Sequence, residues 1–139
     1  MTTACGVQCL IEIYIEFYLF YEASLVSKRE HYFFVCHNIR PDGNPRPSCG
    51  RSGSPEVYAA LKAELQRRGL SKTVARTCTS SCLDMCDDGP IVGVQPENIF
   101  YGHMTVDRVP AVVQALLDGN TVREFLVQSA TLGESNKDR

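Results

Sequence analysis

The sequence predicts an α/β fold: a mixed sheet of four to five strands and two main helices, preceded by an N-terminal extension. Three observations carry that expectation. From residue 31 onward, short apolar runs alternate with turn signals. A segment with helical spacing, 55–68, lies between two strand-like runs, so those strands should run parallel across a helix. Two further apolar runs flank Pro96, Glu97 and Asn98 and read as a hairpin, which adds an antiparallel pair. At 139 residues, with 44% hydrophobic and 22% charged side chains, the chain suits one domain with a packed core.

Residues 10–26 (LIEIYIEFYLFYEASLV) come first and are ambiguous. Glu12 and Glu16 would share one face of a helix, whereas the Ile, Tyr and Phe content favours a strand. We expect an appendage over residues 1–30 that packs on the domain or a partner, or a segment outside the working protein. His31–Cys36 (HYFFVC) is a buried strand by length and aromatic content. Pro41, Gly43, Pro45, Pro47, Gly50 and Gly53 then mark a long loop, and loops of that length are usually functional. Ser54, Pro55 and Glu56 read as N-cap, first-turn proline and first-turn acid of the helix 55–68, with Val57, Leu61 and Leu65 at helical spacing and Gly69 as its stop. Thr73–Cys78 forms the second strand, and residues 79–89 are too polar and turn-rich to continue it. Ile91–Val94 and Ile99–Tyr101 make the hairpin. Asp107 caps a last helix with Pro110 in its first turn and Gly119 at its end. Residues 121–127 add a short extended piece, and 128–139 form a polar tail.

Charge and hydropathy remove several function classes. Lys plus Arg total 14 against 16 Asp plus Glu, so the basic excess a nucleic-acid binder needs is missing. A transmembrane span is not expected: Glu12, Glu16 and Glu22 would each cost about 2 kcal/mol or more near a bilayer centre. No basic n-region, short apolar stretch and cleavage site open the chain, and a cytoplasmic location is expected. Seven cysteines in that setting suggest metal ligation or redox chemistry before structural disulfides. There is no GxGxxG or GxxxxGK[ST] phosphate loop and no internal repeat.

Four of the cysteines fall in two loops. Cys36 ends the first strand and Cys49 follows after twelve intervening residues; Cys82 and Cys86 are separated by three residues in the second polar loop. Both loops follow the C-terminal ends of parallel strands, where ligand sites of open α/β sheets lie. Four converging thiolates can hold an iron–sulfur cluster or structural zinc. Zinc sites usually use two short pairs, and here the first pair spans a long loop, which favours the cluster. A thiol–disulfide enzyme would want a C-x-x-C pair at a helix N-terminus, and the chain has none.

Residues 31–127 resemble the thioredoxin-like [2Fe-2S] ferredoxins, whose pattern is C-x12-C followed by C-x3-C. The shared features are the strand entering Cys36, the loop Arg40-Pro41-x-Gly43-x-Pro45 with Ser48-Cys49, the Gly53-Ser54 helix entry, Cys86 followed by Gly89-Pro90 and a valine-rich strand, and Tyr101-Gly102. The resemblance implies a thioredoxin-like fold, one [2Fe-2S] cluster held by Cys36, Cys49, Cys82 and Cys86, one-electron transfer to redox partner proteins (oxidoreductases), and commonly a homodimer. A more distant likeness is to the cluster-binding small subunit of NADH dehydrogenases and hydrogenase-like complexes, whose first cysteine pair is closer together. The N-terminal extension has no counterpart in the family pattern.

The remaining residues have weaker expectations. Arg40, Arg46 and Arg51 surround Cys49 in sequence and could soften a negative field, hold a redox partner, or simply be solvated. Asp87 and Asp88 beside the last cysteine would lower a cluster's potential, mark a partner surface, or sit screened in solvent. Backbone N–H groups of the two loops are expected donors to sulfur. Cys78 reads as a small buried strand-end residue, and Cys5 and Cys9 as free thiols. His31, His37 and His103 lack companions for catalysis or for a mixed His/Cys cluster, and Thr79, Ser80 and Ser81 lack a nucleophile elbow.

Overall fold

The computed structural model describes residues 4–24 and 27–127. Strand β1 (His31–Cys36) is central, with β2 (Ala75–Ser80) parallel on one side and β3 (Val92–Gln95) antiparallel on the other; β4 (Ile99–Tyr101) completes the order β2-β1-β3-β4. Among the described residues the fifth expected strand reduces to a single bridge, Tyr101 to Leu126. Helix α1 (Ala4–Ser24) precedes the sheet, α2 (Ser54–Arg67) connects β1 to β2, and α3 (Val109–Leu117) follows the hairpin.

Strand alternation divides the sheet into two faces. Phe33 and Val35 of β1, Ala75 and Thr77 of β2, Val92 and Val94 of β3, and Tyr101 of β4 are buried on one face, under Val57, Leu61 and Leu65 of α2 and Val109, Val112 and Val113 of α3. Phe33 and Leu61 are 0% exposed, and burial of side chains this size contributes about 1.5–3 kcal/mol each. The opposite face carries Tyr32, Phe34, Cys78 and Phe100. There Gly93 leaves room for the Phe100 ring, which a Cβ would meet at 3.1 Å.

Local details differ from the expectations at three places. Strand β2 starts and ends two residues later, because its parallel register with β1 runs from His31↔Ala75 to Cys36↔Ser80 and holds the polar Thr79 and Ser80 in the ladder. Gly53, with φ of 105°, is the N-cap of α2, and Ser54 is buried inside the first turn without capping it. Asp107 lies in a 3-10 turn (Val106–Arg108) ahead of α3 instead of capping it. Residues 10–24 form part of a helix, and the side chains described there are exposed, Leu10, Tyr14 and Phe17 among them. The polar tail 128–139 and the Cys5 side chain lie outside the described residues.

Candidate metal centre

One edge of the sheet gathers the four loop cysteines. Cys36 ends β1, and its N–H donates to the Ile91 carbonyl (3.1 Å), while the next residue's N–H donates to the Ser80 carbonyl (3.0 Å). The strand end is thus tied to the chain on both sides. Cys49 opens a 3-10 turn (Cys49–Arg51), and Cys86 opens another (Cys86–Asp88). Cys36, Cys49 and Cys86 are at most 3% exposed, whereas Cys82 is half-buried in the loop after β2. Ile91 packs with Cys36 and Cys49, and Leu83, Met85, Phe100 and Val127 surround them as a small apolar shell.

The thiols meet as two pairs. Cys36 and Cys49 are in hydrogen-bond contact, and the Cys82 and Cys86 sulfurs are 3.3 Å apart. Burial pushes the Cys49 thiol up to about 12, opposed by the Ile91 N–H, which donates to its sulfur, and reinforced by Cys36 and Cys86. Burial also lifts the Cys86 thiol, with Cys82 adding to the rise and Arg40 opposing it. At Cys82 burial is outweighed by the Asp84 N–H (3.3 Å from sulfur), the hydrogen bond from Cys86 and the charge of Arg40, so this thiol is held below its ordinary value. The Cys49 and Cys86 thiols are therefore costly to ionise where they lie, and a metal centre would compensate that cost by supplying positive charge.

Several expected residues take definite places. Of the three loop arginines only Arg40 reaches sulfur: its Nη2 donates to Cys86 Sγ (2.9 Å) and approaches Cys82 Sγ (3.6 Å). Arg46 instead pairs with Asp84 (3.4 Å) and Arg51 with Asp42 (2.7 Å). Asp87 is exposed; Asp88 is mostly buried, its carboxylate 3.4 Å from His103 Nε2 and its carbonyl accepting the His103 N–H. The expected backbone donors are present at Ile91 and Asp84. The Ser80 hydroxyl donates to the Ser81 carbonyl, away from sulfur. Cys78 sits mid-strand in β2 opposite Phe34 instead of at the strand end, two register positions before Ser80, the partner of Cys36, and Cys9 is exposed on α1.

Two contributors were not expected from the sequence. Ser48 is 5% exposed and its Oγ accepts the Arg40 N–H (2.8 Å), which folds the loop so that Arg40 turns back towards the residue before Cys49. Gly89 lies directly against the site: a Cβ there would be 2.7 Å from Cys49 Sγ and 3.2 Å from the Cys86 carbonyl. The Gly89-Pro90 motif was the available signal for it.

The donor chemistry is that of four thiols in two contacting pairs, which matches the four-cysteine set of a two-iron cluster.

No protein-family model matches the chain. The sequence is 34% identical over 93 residues to a 2Fe-2S ferredoxin of Clostridium pasteurianum, covering 67% of this chain and 90% of that protein. It is 33% identical over 96 residues to a 2Fe-2S ferredoxin of Aquifex aeolicus, covering 69% of this chain and 86% of that one. Among solved structures, the wild-type thioredoxin-like [2Fe-2S] ferredoxin of Aquifex aeolicus superposes with a TM-score of 0.63 at 31% identity, over 71% of this chain and 97% of that chain.

Proposed function

The chain belongs to the thioredoxin-like [2Fe-2S] ferredoxin family, and on that premise we propose that Cys36, Cys49, Cys82 and Cys86 are the four ligands of its single [2Fe-2S] cluster. It is an electron carrier. The observation that supports the ligand set is the gathering of these four sulfurs, as two contacting pairs, at one edge of the sheet. When bound, the cluster supplies a reversible one-electron couple and asks no acid, base or nucleophile of the protein.

The chain's own residues then have distinct tasks. Cys36 and Cys49, enclosed with Ile91, Leu83, Met85 and Phe100, keep water from one side of the site. The Ile91 and Asp84 N–H groups donate to Cys49 and Cys82 sulfur, which spreads thiolate charge into the backbone. Half-buried Cys82 lies on the side open to solvent, where a redox partner protein, an oxidoreductase, approaches. Residues 31–127 form the cluster-binding unit in this reading, 1–30 an extension to it, and two such chains associate as a homodimer. No helix among the described residues is long and apolar enough to cross a membrane. The free thiols suit a reducing compartment, and the cytoplasm is the location we assign.

The test is the visible spectrum of anaerobically purified protein before and after dithionite, with iron and acid-labile sulfide counted on the same sample. A red-brown protein with about two iron and two sulfide per chain that bleaches on reduction is expected. Cys36→Ser and Cys49→Ser should lose or destabilise the cluster while Cys78→Ser keeps it. A colourless protein holding one zinc after reconstitution with iron and sulfide would overturn the reading, and iron loss from Cys78→Ser alone would overturn the ligand set.

A further inference from the structure

We propose that Arg40 sets the reduction potential of the centre, as a positioning residue whose fixed positive charge lies against the Cys82 and Cys86 sulfurs. The inference rests on the ligand reading above and adds to it a residue that is not a ligand.

Geometry singles out this arginine. One guanidinium nitrogen contacts both members of a thiol pair, at 2.9 Å and 3.6 Å, and the same side chain's Nε donates to the Pro47 carbonyl (3.2 Å). Its backbone is fixed as well: the Arg40 N–H donates to Ser48 Oγ (2.8 Å) and the Arg40 carbonyl accepts from Arg51 Nη2 (3.1 Å). Arg51 is itself held by Asp42 (2.7 Å). The charge is therefore built into the loop that also carries Cys49, and is not a surface side chain that happens to reach sulfur.

The electrostatic consequence follows from charge balance. Two ferric ions, two sulfides and four thiolates carry about −2, and one electron from an external reductant takes the site to about −3 with no bond made or broken and no proton taken up. A cation touching the sulfurs interacts more strongly with the more negative form and so favours reduction. An arginine keeps its charge throughout the accessible pH range, so its contribution does not change with pH. Lysine would retain the charge without the planar fork that spans sulfur and the Pro47 carbonyl together.

The experiment compares wild-type protein with Arg40→Gln and Arg40→Lys, each reconstituted, counted for iron and sulfide, and titrated with dithionite between pH 6 and 9. The expected result is equal cluster content, with the reduction equilibrium of Arg40→Gln at least tenfold less favourable, a fall in midpoint potential of about 59 mV or more for one electron. The difference should be constant across pH, and Arg40→Lys should recover part of it. Loaded proteins with coincident potentials would overturn the proposal and leave the ligand set standing. If Arg40→Gln loads poorly, Arg40→Lys decides: a loaded lysine variant with a potential near wild type supports a role for charge. Folded chains of both variants, judged by far-ultraviolet circular dichroism, that hold no cluster overturn it in favour of a role in assembly; unfolded ones do so in favour of a structural role. A wild-type chain that takes up no iron and sulfide removes the ligand reading itself.

Discussion

Replacing Gly89 by alanine tests the site at its tightest point. The glycine has φ of −66° and ψ of 160°, an extended conformation open to any L residue, so backbone strain does not enter. Space does. The added Cβ would lie 2.7 Å from Cys49 Sγ, against an ordinary contact of 3.4–4 Å, so the sulfur must retreat by about 0.7 Å or the chain around it must move. Metal–ligand distances tolerate about 0.2 Å, so the retreat is more than three times what a bound centre accepts. The Cys86 carbonyl, 3.2 Å from the same Cβ, limits escape in another direction. Overpacking of this kind costs about 1–3 kcal/mol, and each kcal/mol corresponds to about 4–8 °C in melting temperature for a domain of this size. We expect Gly89→Ala to fold, to melt lower and to hold well under the wild-type complement of iron and sulfide. Gly43→Ala is the contrast: φ is +84° with no atom within 4 Å, so about 1–2 kcal/mol of left-handed strain should appear as a lower melting temperature with cluster content unchanged. Full cluster content and a wild-type melting temperature in Gly89→Ala would refute the reasoning.

Three further outcomes are expected. Leu61→Ala, at a fully buried position in the core, should cost about 2–5 kcal/mol in denaturant melts, and a cost below about 1 kcal/mol would mean that α2 does not seal the core there. Glu64 accepts from Arg67 (2.7 Å) and Arg68 (2.6 Å), and these arginines hold its carboxyl down at about 2, from an ordinary 4.5. A depressed carboxyl stabilises the fold above its unfolded value and loses that contribution as pH falls from about 4.5 towards 2. Stability of wild type should therefore drop more steeply than that of Glu64→Gln over this window in urea melts. Comparing the two chains at each pH cancels the acid lability of the cluster, and parallel profiles would contradict the pairing. Cys82→Ser should change the visible spectrum while leaving the sheet intact, because Cys82 lies outside the packed core; loss of far-ultraviolet signal would argue for a structural role instead.

Much of this architecture is legible in the residues. HYFFVC fits a strand by length and aromatic content and forms one, and Pro55 with Gly69 bounded α2 within one residue at either end. The convergence of four thiols followed from topology, since both loops leave the same ends of parallel strands. What local pattern missed was decided by tertiary pairing. Thr79 and Ser80 look like loop residues, yet the parallel ladder to Val35 and Cys36 retains them. Ser54 has the composition of a cap, but the positive φ that the turn needs belongs to Gly53, so the serine enters the helix. Residues 10–24 stayed undecided because aromatic and β-branched content argued against the i,i+4 placement of Glu12 and Glu16, and the helix prevailed. Three arginines near Cys49 are equivalent on paper. Only the path of the loop, turned by Ser48 and closed by Gly50 against Ile39 and the His37 carbonyl, separates Arg40 from the other two.

The backbone ties at Cys36 bear on the speed of electron exchange. A carrier works fastest when nothing around the redox centre has to rearrange between its two states, since every displaced dipole adds to the barrier. Here one proposed ligand is the last residue of the central strand, clamped to a neighbour on each side, and another is pinned beneath Gly89. That half of the site shares its hydrogen bonds with the sheet. Cys82 stands in a half-buried turn outside that frame, so on the proposed ligand set any small adjustment that accompanies a transfer is expected on its side.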